Sequence, residues 1–167
     1  MKNDVVISTR IRLARNLKEF PFPRKLNSDG REKVIEKVTK AIKDSNSSVA
    51  NEFKLIRLSD LSKEQAVSLV ERHLVSPEFI SEADGRALLL LPDESVSIMI
   101  NEEDHIRLQV FTKGLSLKEA YDTADKLDTL LDESLDFAFD ERLGDLTQCP
   151  TNIGTGMRAS VMLHLPA

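Results

Sequence analysis

An α+β fold, built on a mostly antiparallel sheet flanked by helices, is what the 167-residue sequence predicts. Two observations carry that expectation. Short apolar runs from Ala87 to Phe111 are broken only by turn residues, the rhythm of consecutive antiparallel strands. Stretches with apolar residues at helical spacing are interspersed with strands, yet without the regular spacing of βαβ units. Taking the elements in order, Asp4 to Asn16 reads as a strand. Val5, Ile7, Thr9, Ile11 and Leu13 fall on one side of it, and Ser8, Arg10 and Arg12 on the other. The Pro-punctuated FPFPRKLN leads to a helix carrying Val34, Ile35, Val38, Ala41 and Ile42, with Asp29 and Glu32 as a capping box. Residues 46–51 are a polar loop, EFKLIRL is a short strand, and Ser62 with Gln65 caps a second helix bearing Ala66, Val67, Leu69, Val70 and Leu74. Ser76 and Pro77 start a short turn or helix. ALLLL, VSIMINEED and HIRLQVF are successive strands, and PDES is the first turn between them. Ser116 and Glu119 open a long helix from Leu117 through Ala120, Tyr121, Ala124, Leu127, Leu131 and Leu135 to Ala138. MRASVMLHLP reads as the last strand.

Composition narrows the function. With 23 basic against 28 acidic residues the chain carries −5, so nothing in the total drives it toward nucleic acid or an anionic membrane surface. Any phosphate chemistry must rest on a local basic cluster. The longest apolar runs, such as Ala87 to Leu91, fall far short of a bilayer span, and MKNDVV lacks the apolar stretch of a signal peptide. The expectation is a soluble cytoplasmic protein. A single cysteine, Cys149, cannot form an internal disulfide, which fits a reducing compartment.

Three constellations carry chemistry. On an extended strand Arg10 and Arg12 share a face about 6.6–7 Å apart, with Ser8 beside them, and two such guanidiniums can clasp one polyphosphate. The alternative is a solvated strand face paired with carboxylates. Asn101 to Arg107 packs three acids, His105 and Arg107 into one turn. Its carboxylates could hold a cation, accept a proton or ligate a metal; the alternative is an acidic hairpin tip. Asp104 and His105 lack a second ligand pair at a recognisable spacing, which argues against a metal site. In the third, Gly154 to Ala159 matches G-x-G-x-x-A, but a polar Cys-Pro turn precedes it and a strand follows, so the dinucleotide reading is rejected. The Gly-Thr-Gly turn can still present amides to an anion and deliver Arg158 to a strand. Cys149 is either a buried small hydrophobe or a thiol facing a cationic substrate.

Together STRIRLARN, SIMINEEDHIR and CPTNIGTGMRASVMLHLP, in that order, resemble the ATP:guanidino phosphotransferase (phosphagen kinase) family. ERHLVSP, FDERLGDLTQCPTN and RASVMLHLP resemble its bacterial protein-arginine kinase branch. The resemblance runs from Asp4 to Ala167 and implies a curved antiparallel sheet with flanking helices, as in glutamine synthetase. It implies ATP with Mg²⁺ as the phosphoryl donor and arginine side chains of proteins as acceptors. Arg10, Arg12, Arg107 and Arg158 then correspond to the arginines around the ATP phosphates. Ser8, Thr9, Arg10, Ile11 and Arg12, with Arg158, Ala159, Ser160, Val161 and Met162, correspond to nucleotide-contacting segments, and His73 to a nucleotide-contacting histidine. Glu103 corresponds to the carboxylate that orients the acceptor guanidinium and helps remove its proton, and Cys149 to the thiolate facing the same group.

The family's catalytic domain continues past RASVMLHLP with a further phosphate-binding arginine and a second substrate glutamate. Residues 1–167 are therefore expected to be a partial catalytic domain, inactive alone, with apolar sheet edges that could drive dimerisation. Family context further implies a homodimer, stress-response regulators and protein-degrading machinery as partners, and no direct contact with nucleic acid or membrane. The alternatives are a kinase of a free small guanidine such as arginine, and a non-catalytic nucleotide-binding fragment.

Overall fold

The computed structural model describes residues 5–165; Asp4, at the start of the predicted first strand, and Ala167, at the end of the resemblance, lie outside them. Alternation of apolar residues with arginines lets the first strand bury one side only. In β1 (Val6–Arg15) Thr9, Ile11 and Leu13 are buried while Arg10 and Arg12 remain half-buried on the other side. There follow α1 (Ser28–Lys43), β2 (Lys54–Arg57), α2 (Lys63–Glu71), the single-turn α3 (Pro77–Ile80), β3 (Ala87–Leu90), β4 (Val96–Ile100), β5 (Ile106–Lys113), α4 (Leu117–Asp132), the short β6 (Phe139–Asp140) and β7 (Gly144–Asp145), and β8 (Met157–Leu163). Six strands form one sheet in the order β2-β3-β4-β5-β1-β8, every neighbouring pair antiparallel. The predicted class is the observed one. The β6–β7 ribbon is separate and has no counterpart in the expected elements.

The two faces of the sheet are covered unequally. On one, Ile11, Leu13, Ile98, Ile100, Leu108 and Val110 join Val34, Ile35, Val38 and Ile42 of α1 and Ala120, Ala124, Leu127 and Leu131 of α4 in one core. On the other, a second cluster of Leu69, Leu74, Val75 and Phe79 closes over Leu88, Leu90 and Met99, so α2 and α3 cover the β3–β4 side only. Gln109 of β5 is still covered, its Nε2 donating to Leu74 O at 2.9 Å, and beyond β5 that face is left open across β1 and β8. The edge strand β8 exposes Met157, Val161 and Leu163.

Several local expectations are corrected. The α1 cap is not the Asp29–Glu32 pair: the helix starts at Ser28, and the Asn27 side chain accepts from Gly30 N at 2.8 Å. Ser116 stands at the N-cap of α4 but turns its hydroxyl back to Lys113 O at 3.0 Å. That helix ends at Asp132, so Leu135 and Ala138 follow it, and Leu117 and Tyr121 are exposed. Val5 and Ile7 are exposed although their alternation assigns them to the covered side. The Ser62–Gln65 capping box forms with both reciprocal bonds, at 3.2 and 2.8 Å.

Candidate active site

Residues that pair across antiparallel strands project on the same side of a sheet. Arg12 pairs with Gln109 on β5 and Arg158 on β8, Arg10 with Phe111 and Ser160, and Ala14 with Arg107. Arg10, Arg12, Arg107 and Arg158 therefore all stand on the same side of the sheet, Arg10, Arg12 and Arg158 on its open part and Arg107 buried at the margin. Arg10 Nε donates to Ser160 Oγ at 3.2 Å. Burial, and then the charges of Arg107 and Arg158, hold the Arg10 guanidinium below its usual range. Burial, Arg107, Arg158 and Arg10 together push Arg12 down to about 10, with Glu102 opposing. At neutral pH these groups remain charged, so the cluster stores repulsion that a multiply charged anion relieves.

The segment between β4 and β5 is divided between structure and chemistry. Asn101, at φ 62°, donates through Nδ2 to Arg31 O and Gly85 O, both at 2.9 Å. Asp104 is fully buried, its Oδ1 accepting from Asn16 Nδ2 at 2.7 Å and Gln148 N at 2.8 Å. His105, equally buried, accepts from Leu17 N at 3.0 Å through Nδ1 and donates from Nε2 to Pro21 O at 2.9 Å. Burial holds its imidazole below the ordinary value, against the raising influence of the Pro21 bond and Asp104. This pair is internal scaffolding, and the turn is not an exposed hairpin tip. No three His, Cys, Asp or Glu side chains among the described residues are grouped to hold a metal.

Glu102 and Glu103 both engage Arg107. Glu102 forms a buried ion pair with Arg107, with burial pushing its carboxyl up and Arg107 opposing. Glu103 Oε2 lies 3.0 Å from Arg107 Nη2, and its side chain is 35% exposed against 6% for Glu102. Glu103 is thus the acid an incoming group can reach.

The turn before β8 is fixed by glycine. Gly156 has φ 60°, and a Cβ there would meet Ala14 O at 2.5 Å; its carbonyl takes Ala14 N at 2.9 Å. This docks the turn on β1 and sets Arg158 opposite Arg12. Cys149, half-buried, sits upstream with Sγ 3.0 Å from Thr151 Oγ1.

Two clefts open on this face. The first, of about 480 Å³, is lined by Arg12, Glu102, Glu103, Arg107, Cys149 and Arg158 among others. The second, of about 460 Å³, is lined by Ser8, Arg10, His73, Ser160, Val161 and Met162, with Leu74 and Phe111. Neighbouring positions on one side of β1, Arg10 and Arg12, join them. His73 reaches the second cleft from an unusual backbone. It has φ 61° just past α2, where its N–H bonds Val70 O and Leu74 N bonds Leu69 O, the helix-terminating pattern that ordinarily takes glycine. Three of the expected residues point elsewhere. Thr9 Oγ1 donates to Gly114 O at 2.6 Å and accepts from Ser116 N at 3.0 Å, Ile11 belongs to the core, and Ala159 pairs with Ile11 on the helix-covered side; Val161, which borders the second cleft, pairs with Thr9 and so shares that side too. The pattern of the sequence missed Arg72 and Glu94, which complete the second cleft. Neither stands in an arginine or acid cluster that would single it out.

Known proteins resemble this chain in sequence and in fold. Residues 33–167 match the family described as ATP:guanido phosphotransferase, C-terminal catalytic domain. The chain belongs to that family. Over 164 residues it is 49% identical to a protein-arginine kinase of Caldanaerobacter subterraneus subsp. tengcongensis, covering 98% of this chain and 49% of that protein. It is 50% identical to a protein-arginine kinase of Clostridium acetobutylicum, covering 99% and 48%. The chain therefore spans about half the length of these relatives. Among solved phosphagen kinases, the duplicated taurocyamine kinase from Schistosoma mansoni with bound transition-state-analogue components superposes with a TM-score of 0.86 at 34% identity. That match covers 94% of this chain and 23% of that one. Lombricine kinase superposes at 0.84 and 26%, covering 99% and 49%. No helix among the described residues is long and apolar enough to cross a membrane.

Proposed function

We propose that this chain supplies the donor-phosphate site and the acceptor acid of a protein-arginine kinase that transfers the γ-phosphoryl group of ATP to arginine side chains. The single observation that carries the reading is the convergence of Arg10, Arg12, Arg107 and Arg158 on one side of the sheet, with the partly exposed Glu103 paired to Arg107 beside them. The nucleoside end of ATP would occupy the second cleft and its phosphates the arginines between the clefts. Mg²⁺ would ride largely on the phosphates and keep several of its waters, as it commonly does in nucleotide sites.

The acceptor guanidinium would enter the first cleft between Glu103 and Cys149. A guanidinium holds its proton above pH 12 or so and is a poor nucleophile until one nitrogen gives it up. Glu103 would orient that nitrogen and take the proton as the N–P bond forms and the bond to the ADP oxygen breaks. Positioning and charge neutralisation are what this transfer needs most, and the guanidinium cluster offers both. The protein acceptor is favoured over free arginine because relatives near 50% identity bear the protein-arginine kinase name, whereas the small-guanidine kinases stand at 34% and 26%. Homodimerisation, a cytoplasmic setting and contacts with stress-response regulators and protein-degrading machinery belong to the same reading, supported by that similarity alone.

The test uses the intact protein with ATP and Mg²⁺, offering an unfolded arginine-rich protein and free arginine side by side. Phosphoarginine is expected on the protein only. Glu103→Gln is expected to lower the rate at least about 100-fold with ATP affinity kept. Full activity in that variant would remove Glu103 from the mechanism, and phosphorylation of free arginine alone would replace the acceptor.

A further inference from the structure

The second cleft contains a carboxylate that no phosphate chemistry calls for. Glu94 is the one acid lining it, beside Arg10, Arg72 and His73. It stands in the β3–β4 turn at φ 60°, a left-handed backbone that a glutamate adopts at a cost. The turn is held: Glu94 N donates to Leu91 O at 2.9 Å, and Asp93 Oδ1 accepts from Ser95 N at 3.0 Å and Ser95 Oγ at 2.7 Å. Arg72, at the end of α2, bridges to it. Its Nε donates to Ser68 O at 3.3 Å and its Nη1 pairs with Glu94 Oε1. Both side chains are more than a third exposed, and an ion pair in that setting adds little stability. The pair therefore does not account for the left-handed glutamate.

A ligand does. Resting on the reading that this cleft receives the nucleoside end of ATP, we propose that Glu94, steadied by Arg72, selects ribonucleotides by accepting hydrogen bonds from the ribose hydroxyls. Arginine side chains only donate, so a vicinal diol placed among Arg10 and Arg72 needs an acceptor, and an ionised carboxylate has lone pairs on both oxygens. Arg72 engages Oε1, and Oε2 is the atom available to the sugar. A carboxylate serving a ribose hydroxyl is a recurrent solution in nucleotide sites on other folds. The left-handed turn and the arginine strap then have one purpose: they fix the acceptor without filling the cleft.

The test compares binding of ATP, 2′,3′-dideoxy-ATP and inorganic tripolyphosphate to the intact protein by calorimetry. The wild type is expected to prefer ATP over the dideoxy analogue by about tenfold, in line with a hydrogen bond to a charged group. Glu94→Gln, and Glu94→Gly as a variant suited to the backbone, are both expected to reduce that preference to less than about twofold. Tripolyphosphate binding should not change. An undiminished preference in both variants, or none in a wild type that binds tripolyphosphate, overturns the proposal. A wild type that binds no polyphosphate overturns the nucleotide reading itself, and this proposal with it.

Discussion

Over β3 and β4 the face opposite α1 and α4 is closed by Leu69, Leu74, Val75 and Phe79 packed on Leu88, Leu90 and Met99. Across β1 and β8 the same face is open and carries Arg10, Arg12 and Arg158, with Arg107 buried at its margin on β5. One sheet thus has a half that stabilises and a half that is kept unfavourable. In the first, apolar surface leaves water and the fold gains. In the second, guanidiniums are half-buried and brought together, and burial first, then the neighbouring arginines, push Arg12 down to about 10. The difference teaches where to look for function: where a sheet face that could have been covered by a helix is left open and filled with like charges.

Substitutions on either side should separate the two halves. The largest effect belongs to the closed half: Phe79, with no exposed surface, is expected to cost about 3–5 kcal/mol of stability when replaced by Ala, read as a lower denaturation midpoint. Arg12→Gln should do the reverse, leaving stability unchanged or slightly raised while weakening ATP binding at least tenfold, a loss that shrinks at high salt. A marked fall in its melting temperature would mean that the arginines support the fold and would erase the contrast. His73→Gly should give a smaller version of that trade, about 1 kcal/mol more stable because glycine escapes the left-handed penalty, with weaker nucleotide binding.

The smallest expected effect comes from acid. His105 is held neutral by burial, with a folded value below that of the unfolded chain. The unfolded state therefore takes up its proton first as pH falls below 6.5 or so, and the stability present above that value is lost as pH falls through the folded value. An imidazolium would also lose the bond that Nδ1 accepts from Leu17 N. His105→Gln should flatten this part of the pH–stability curve, read by thermal melts between about pH 5 and 7.5.

Much of this organisation was legible in the residues, for physical reasons. Alternation placed Arg10 and Arg12 on the side of β1 away from Ile11 and Leu13, because a strand has period two. Strand order was not legible: that Arg158 lies opposite Arg12 follows from β8 returning to the far edge of β1, a pairing between residues 146 apart in sequence. Nor did the acid run show its division of labour, since Asp104 and His105 differ from Glu103 only in what Asn16, Leu17 and Pro21 bring to them. The left-handed Glu94 was not legible because glutamate is not a residue type that announces a positive φ.

The most direct measurement is a crystal structure of the intact protein with a non-hydrolysable ATP analogue, Mg²⁺ and an arginine peptide. The account predicts phosphate oxygens within hydrogen-bond distance of Arg10, Arg12, Arg107 and Arg158, and the peptide guanidinium against Glu103. Phosphates bound away from that open half-face would contradict it.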